Sequence, residues 1–344
     1  MKLLIYADPH VSTYSSLLRS RDEKYSTRLT GIIRTLNWIE QTALDNECDR
    51  IICLGDFFNE SDVTAECLTA LKEVTFSNIP HYFLVGNHEM GRGTLNFSSA
   101  HLFESIPNFK VIDAPVWEEM GEEKFLYLPY ILERERQPLK TYFLNEDSEN
   151  LIIFSHNDIA GITLGKFVSK EGFAINEINE CCKLFINGHL HNQSFIGDKI
   201  INLGNITGQN FSEDAFKYPH QIMLLDTQKR VMDFKENPYA FYFYQFSYTD
   251  KFEKILTLLR PNSIVSIQVP EKYKQKAEEL IEKDPHIIAS RIFLDLNEQN
   301  EIKKEHDFEN IKINHVDKFI EYVRQNIGTS NLIEDELEKV INHS

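Results

Sequence analysis

The stretch LFINGHLHNQ, residues 184–193, sets His189 and His191 two positions apart, directly after an apolar run and Gly188. On an extended segment, positions i and i+2 share a face, so both imidazoles can converge on one site. Four further clusters have the same character: Asp8 and His10 in ADPH, Asp56 in LGDFF, Asn87 and His88 in GNHE, and His156 in FSHND. Singly, each has an ordinary reading as a cap, a tight turn or a satisfied histidine. Together they offer imidazole nitrogens and carboxylate oxygens, the donors that borderline divalent metals prefer. Eight such groups exceed what one ion needs and suit two ions sharing a carboxylate. Asp56 is the natural bridge, because a carboxylate has two oxygens and an imidazole brings one nitrogen to a site.

Each cluster follows a short apolar run: KLLIY, RIICL, HYFLV, NLIIF and KLFIN. Runs of this length, bounded by Gly, Asp or Asn, suit strands buried on both faces. Between the first two, residues 27–45 place Leu29, Ile32, Ile33, Leu36, Ile39 and Ala43 at helical spacing. A weaker helical pattern covers 63–76. The alternation predicts an α/β fold in which all five clusters meet at one edge of one sheet, beyond the carboxyl ends of its strands. Gly197-Asp198 reads as a hairpin turn, and HQIMLLDT and FYFYQFSY as strands of a second sheet.

The texture changes near residue 246. NSIVSIQVP, EKYKQKAEELIEK and IIASRIFLDL read as strand, helix and strand, a small α/β module over 246–297. Residues 298–312 form a charged linker. The segment 313–344 carries two amphipathic stretches, which include Phe319, Tyr322 and Val323 and then Leu337 and Val340.

The 344 residues carry a net charge of −17, which speaks against a free-standing nucleic-acid binder unless metals or a basic partner supply the positive charge. The five cysteines are odd in number and include no C-x-x-C pair, which argues against disulfides and a zinc ribbon. No apolar run approaches a membrane span, and the N-terminal run is short for a signal peptide. The expectation is a cytoplasmic protein that does not enter a membrane. Arg19, Arg21, Lys24 and Arg28 form a local basic group that can meet phosphates.

The ordered series D-x-H, G-D, G-N-H-[DE], H, G-H-x-H resembles the calcineurin-like metallophosphoesterases over roughly residues 1–245. That resemblance implies a two-sheet sandwich flanked by helices. It implies that Asp8, His10, Asp56 and His191 hold one divalent ion and that Asp56, Asn87, His156 and His189 hold the other. His88 is left off the metals, as the catalytic group over the substrate phosphate. The protein phosphatases of the superfamily pair GNHE with G-D-x-x-D-R-G, which GDFFNES does not match. GDFF and the segment INLGNITGQNFSED instead resemble the SbcD and Mre-eleven nuclease branch, with the subunits of T-even bacteriophages most similar. Asn59 departs from that branch, whose members often carry His or Asp there.

The branch resemblance implies a manganese-dependent DNA exo- and endonuclease acting on double- and single-stranded DNA in recombination, repair and replication. It implies a DNA-capping domain at 246–297 and a partner ATPase of the SbcC or Rad-fifty ABC type docked on 313–344. It also implies a homodimer within a heterotetramer. Ligand types alone equally allow iron, zinc or cobalt. The alternatives are a metallophosphatase or nucleotide phosphodiesterase, and a non-catalytic scaffold for the ATPase.

Overall fold

Strands that lie between two packed layers must be apolar on both faces, and the alternation of side chains then decides which layer each residue joins. The computed structural model describes residues 1–13, 24–143, 150–164 and 167–295. In chain order its main elements begin with β1 (Lys2–Tyr6), α1 (Thr27–Asp45), β2 (Arg50–Cys53), α2 (Ala65–Leu71), β3 (His81–Leu84) and β4 (Phe109–Ile112). There follow β5 (Val116–Met120), β6 (Glu123–Leu128), β7 (Leu151–Ser155), α3 (Ile175–Cys181), β8 (Leu184–Asn187), β9 (Ser194–Ile196) and β10 (Ile200–Asn202). The last are β11 (Gln221–Asp226), β12 (Val231–Glu236), β13 (Tyr242–Ser247), β14 (Ser263–Val269), α4 (Lys274–Lys283) and β15 (Ile287–Leu294).

Two six-stranded sheets result, in the orders β12-β11-β1-β2-β3-β4 and β9-β10-β8-β7-β6-β5. In the first, β1 to β4 run parallel and β11 returns antiparallel to β1. In the second, β10, β8, β7 and β6 run parallel between antiparallel edges. The fold is thus α/β, but the five ligand-bearing strands are divided: β1, β2 and β3 lie in one sheet, β7 and β8 in the other. This corrects the single-sheet expectation. A run apolar on both faces is equally suited to either sheet.

One apolar layer joins the sheets, with Leu3, Ile5 and Ile52 from the first and Tyr127, Ile152, Phe154 and Ile186 from the second. The alternate residues face outward. Leu4, Tyr6 and Cys53 pack on Leu29, Ile32, Leu36 and Ala43 of α1. Leu126, Ile153 and Phe185 pack on Ile178 and Cys181 of α3. The order is helix, sheet, sheet, helix. Ser26 caps α1 by accepting from Leu29 N. The second helix is shorter than its 63–76 pattern.

β13, β14 and β15 form a separate three-stranded sheet, with β13 parallel to β14. The run FYFYQFSY therefore opens this small sheet instead of joining the sandwich, and its strand straddles the boundary expected at 246. Phe241, Phe243 and Ile264 make its core, with Phe211 against them. By compactness, Met1–Val269 and Lys274–Phe293 form one unit, and of the described residues Pro270–Tyr273, Leu294 and Asp295 fall outside it. Glu271–Tyr273 is a short 3-10 turn. Arg19, Arg21, the linker 298–312, and Phe319, Tyr322, Val323, Leu337 and Val340 lie outside the described residues. Among the described residues no helix is long and apolar enough to cross a membrane.

Candidate metal centre

The loop after β1 is zipped to the loop after β2. Asp8 N donates to Gly55 O at 3.1 Å, His10 N to Asp56 O at 3.1 Å and Val11 N to Phe57 O at 2.8 Å. Asp8, His10, Asp56 and His189 all have positive φ, at 53°, 46°, 49° and 69°. Such backbone is uncommon for residues with a Cβ and collects at functional sites, where the surroundings hold it in place. The loop after β3 approaches so closely that a Cβ on Gly86 would lie 2.1 Å from Asp56 Oδ1.

Asp56 is the hub. Its Oδ2 lies 3.2 Å from His156 Nε2 and 3.9 Å from His10 Nε2, and its Oδ1 accepts from His88 N at 2.9 Å. Both Asp8 oxygens accept from His189 N, at 3.2 and 3.1 Å. Asn87 Oδ1 sits 3.2 Å from His156 Nε2. Three overlapping sets each have all their donor atoms within 4.8 Å: Asp8, His10 and His191; His10, Asp56 and His88; Asp56, His156 and His189. The structure therefore brings together all eight residues picked from the sequence, and the second set joins His10 of the first to Asp56 of the third. His88 approaches the donors more closely than a group held off the metals requires.

The sequence of residues 1–212 matches the model of the calcineurin-like phosphoesterases. The chain belongs to that family. Solved structures similar to this phosphoesterase include an archaeal phosphodiesterase, at 14% identity over 69% of this chain and 99% of the other, with a TM-score of 0.36. Another is a dimetal phosphatase from Danio rerio, at 13% identity over 69% and 96%, with a TM-score of 0.40. A purple acid phosphatase from yellow lupin seeds is 15% identical over 61% and 41%, with a TM-score of 0.37. No curated protein matches the phosphoesterase in sequence.

The ring nitrogens of the phosphoesterase are mostly assigned by their outer partners. His156 Nδ1 donates to Leu54 O at 2.7 Å, which leaves Nε2 toward Asp56. His191 Nδ1 donates to Glu213 Oε1 at 3.1 Å, and His189 Nε2 lies 3.2 Å from Asp158 Oδ1. His88 Nδ1 lies 2.9 Å from Asn59 O, so this departure from the nuclease branch contributes its backbone. His10 differs: both ring nitrogens are buried and neither has a hydrogen-bond partner. A buried polar atom left unpaired costs ~1–3 kcal/mol, and a cation would satisfy this one.

The electrostatics agree with a cation site. Burial would raise the Asp56 carboxyl, but His156, then His10 and His88, hold it far below the carboxylate range. Burial would lower His156, but Asp56, Asp8 and Glu89 raise it to about 9. Burial carries His10 well below its ordinary value, so it stays neutral and able to ligate.

Three supporting residues were given no role from the sequence. Glu89, raised to about 7 by burial and by Asp56, accepts from Phe58 N at 3.1 Å and Gly86 N at 2.8 Å, tying the GD and GN loops together. Asp158 and Glu213 hold the histidine rings. Their only signal was an acidic residue two places after His156 and the first of the acidic pair that closes the INLGNITGQNFSED segment. Of the basic residues proposed for DNA, Lys24 pairs with Glu73, and Arg28 is 2% exposed and donates to Gly208 O at 2.8 Å. Arg28 is a structural residue, unavailable to a surface phosphate. Its place on the buried face of α1 explains the difference.

Proposed function

We propose that this phosphoesterase is the nuclease subunit of a two-metal DNA-processing complex of the SbcD type. The observation that carries the reading is the chain of three donor groups linked through Asp56 and His10, with both His10 ring nitrogens buried and without a hydrogen-bond partner. Asp8, His10, Asp56 and His191 would hold one ion, and Asp56, Asn87, His156 and His189 the other. Such a pair supplies Lewis acidity, a water of lowered pKa and a clamp on attacking and leaving oxygens. Manganese is the working ion by resemblance.

The protein's own groups do the rest. Asp8, tied to His189 N, and Asp56, tied to His88 N, are positioned before substrate arrives. His88, exposed and held through Nδ1 by Asn59 O, turns Nε2 to the substrate, where as the imidazolium it stabilises developing charge or gives its Nε2 proton to the leaving oxygen. The DNA part of the reading is supported by GDFF, by the INLGNITGQNFSED segment and by the small α/β sheet that follows the sandwich. We assign the sheet the capping role, and residues 313–344 the docking of an ABC-type ATPase whose clamp supplies the positive charge this acidic chain lacks. A homodimer would complete the heterotetramer.

The test compares manganese-dependent hydrolysis of linear duplex DNA, single-stranded DNA and a nitrophenyl phosphodiester. Release of nucleotides from DNA is expected; activity confined to the small ester overturns the nuclease reading. His88→Leu should lower cleavage roughly 10²- to 10⁴-fold while assembly with the ATPase persists. Cleavage that survives the change refutes the role of His88.

A further inference from the structure

The outer ring nitrogen of His191 is held by a buried carboxylate. We infer that Glu213 is a positioning residue for His191, and that through this ring it sets the affinity of one of the two ions. The inference rests on the two-ion reading above.

Glu213 is 7% exposed and comes from the loop after β10, 22 residues beyond the ring it holds. Its Oε1 accepts from His191 Nδ1 at 3.1 Å and from Asn205 Nδ2 at 2.6 Å. The backbone N of Gln209 lies 3.1 and 3.0 Å from its two oxygens. A carboxylate this buried is costly without partners, so the loop has been shaped to keep it charged. The shaping returns to the same histidine. Asn205 N donates to His191 O at 3.1 Å, Asn205 Oδ1 accepts from Gly208 N at 2.8 Å, and Asn205 O accepts from His220 Nδ1 at 2.8 Å. Ring and backbone of His191 are thus held by one closed network.

The consequence is chemical as well as steric. With Nδ1–H donated to a carboxylate, Nε2 carries the lone pair and becomes a stronger donor. His191 belongs to the set with Asp8 and His10. The other ring of GHLH is held by Asp158, whose side chain is 22% exposed against 4% for Glu213. The two ions therefore have unequal outer support, and removing the Glu213 charge strikes one of them.

The experiment titrates manganese into the full-length metal-free protein by calorimetry and follows the coupled two-ion signal by electron paramagnetic resonance. The parent must take up two ions; fewer overturns the two-ion reading, and this inference with it. In Glu213→Gln, which keeps the shape and loses the charge, one ion should bind ~10- to 100-fold more weakly and the other as in the parent. The metal-free melting curve should stay close to the parent's. Glu213→Asp, which keeps the charge and loses the reach, should weaken the same ion and decides the matter if the Gln variant does not fold. Two ions bound with parental affinity in either folded variant overturn the inference. So does a failure of both to fold, which would make Glu213 a purely structural residue.

Discussion

At the scale of single residues, Asp56 and His191 make a contrast that metal counting can read. In the proposed pair Asp56 would serve both ions and His191 one; Asp56 recurs in two of the three donor groups and His191 in one. Asp56→Asn should leave the purified protein with fewer than one ion per chain, and His191→Ala with about one, measured by elemental analysis. A second expectation comes from His156, which Asp56 and its neighbours keep protonated up to about 9 in the metal-free protein. A ligating imidazole must be neutral, so at pH 7 an ion has to displace that proton. Its affinity should rise with pH toward 9 and then level off. Calorimetry at pH 7 in two buffers of different ionisation enthalpy should show proton release. The sign for stability is the reverse: the favourable Asp56–His156 pairing is complete below about 6.5, the ordinary histidine value, and is lost as pH rises through about 9.

At the scale of elements, the amphipathic helix over 27–45 was fully legible, because five turns of consistent spacing leave one face for the core. Its bounds were legible too, Thr27–Asp45 as expected; Ser26 lies 3.2 Å from Leu29 N and satisfies one orphan donor of the first turn. Ser26→Ala should lower stability by about 1 kcal/mol in urea unfolding while metal uptake is unchanged. The strands were legible as strands but not as members of a particular sheet. LIIFS and LFIN are covered by a helix on one side and a sheet on the other, and nothing in an apolar run says which neighbour will pair with it. The aromatic run from Phe241 gave the same ambiguity. The ligand loops were legible because Asp, Asn, His and Gly recur together. Their outer partners were not, since Asp158 and Glu213 look like any acidic residue until the fold turns them inward.

At the scale of the whole molecule, the candidate centre draws Asp8, Asp56 and Asn87 from loops of the first sheet, and His156, His189 and His191 from loops of the second. Bound ions would therefore link the two halves of the sandwich. Each site filled at 100 times its dissociation constant would add ~2.7 kcal/mol. A chelator should then lower the melting temperature by at least about 5 °C, and manganese should restore it. A melting curve indifferent to both would contradict the bridging arrangement. The sheets meet through an apolar layer with no directional bonds of its own, and their register at the centre is held by the bonds from His156 Nδ1 to Leu54 O and from His189 N to Asp8. A slip of an ångström would carry the carboxylates away from the imidazoles while leaving every strand intact. A small apolar molecule wedged between the sheets would therefore silence the phosphoesterase from behind, without competing for the phosphate.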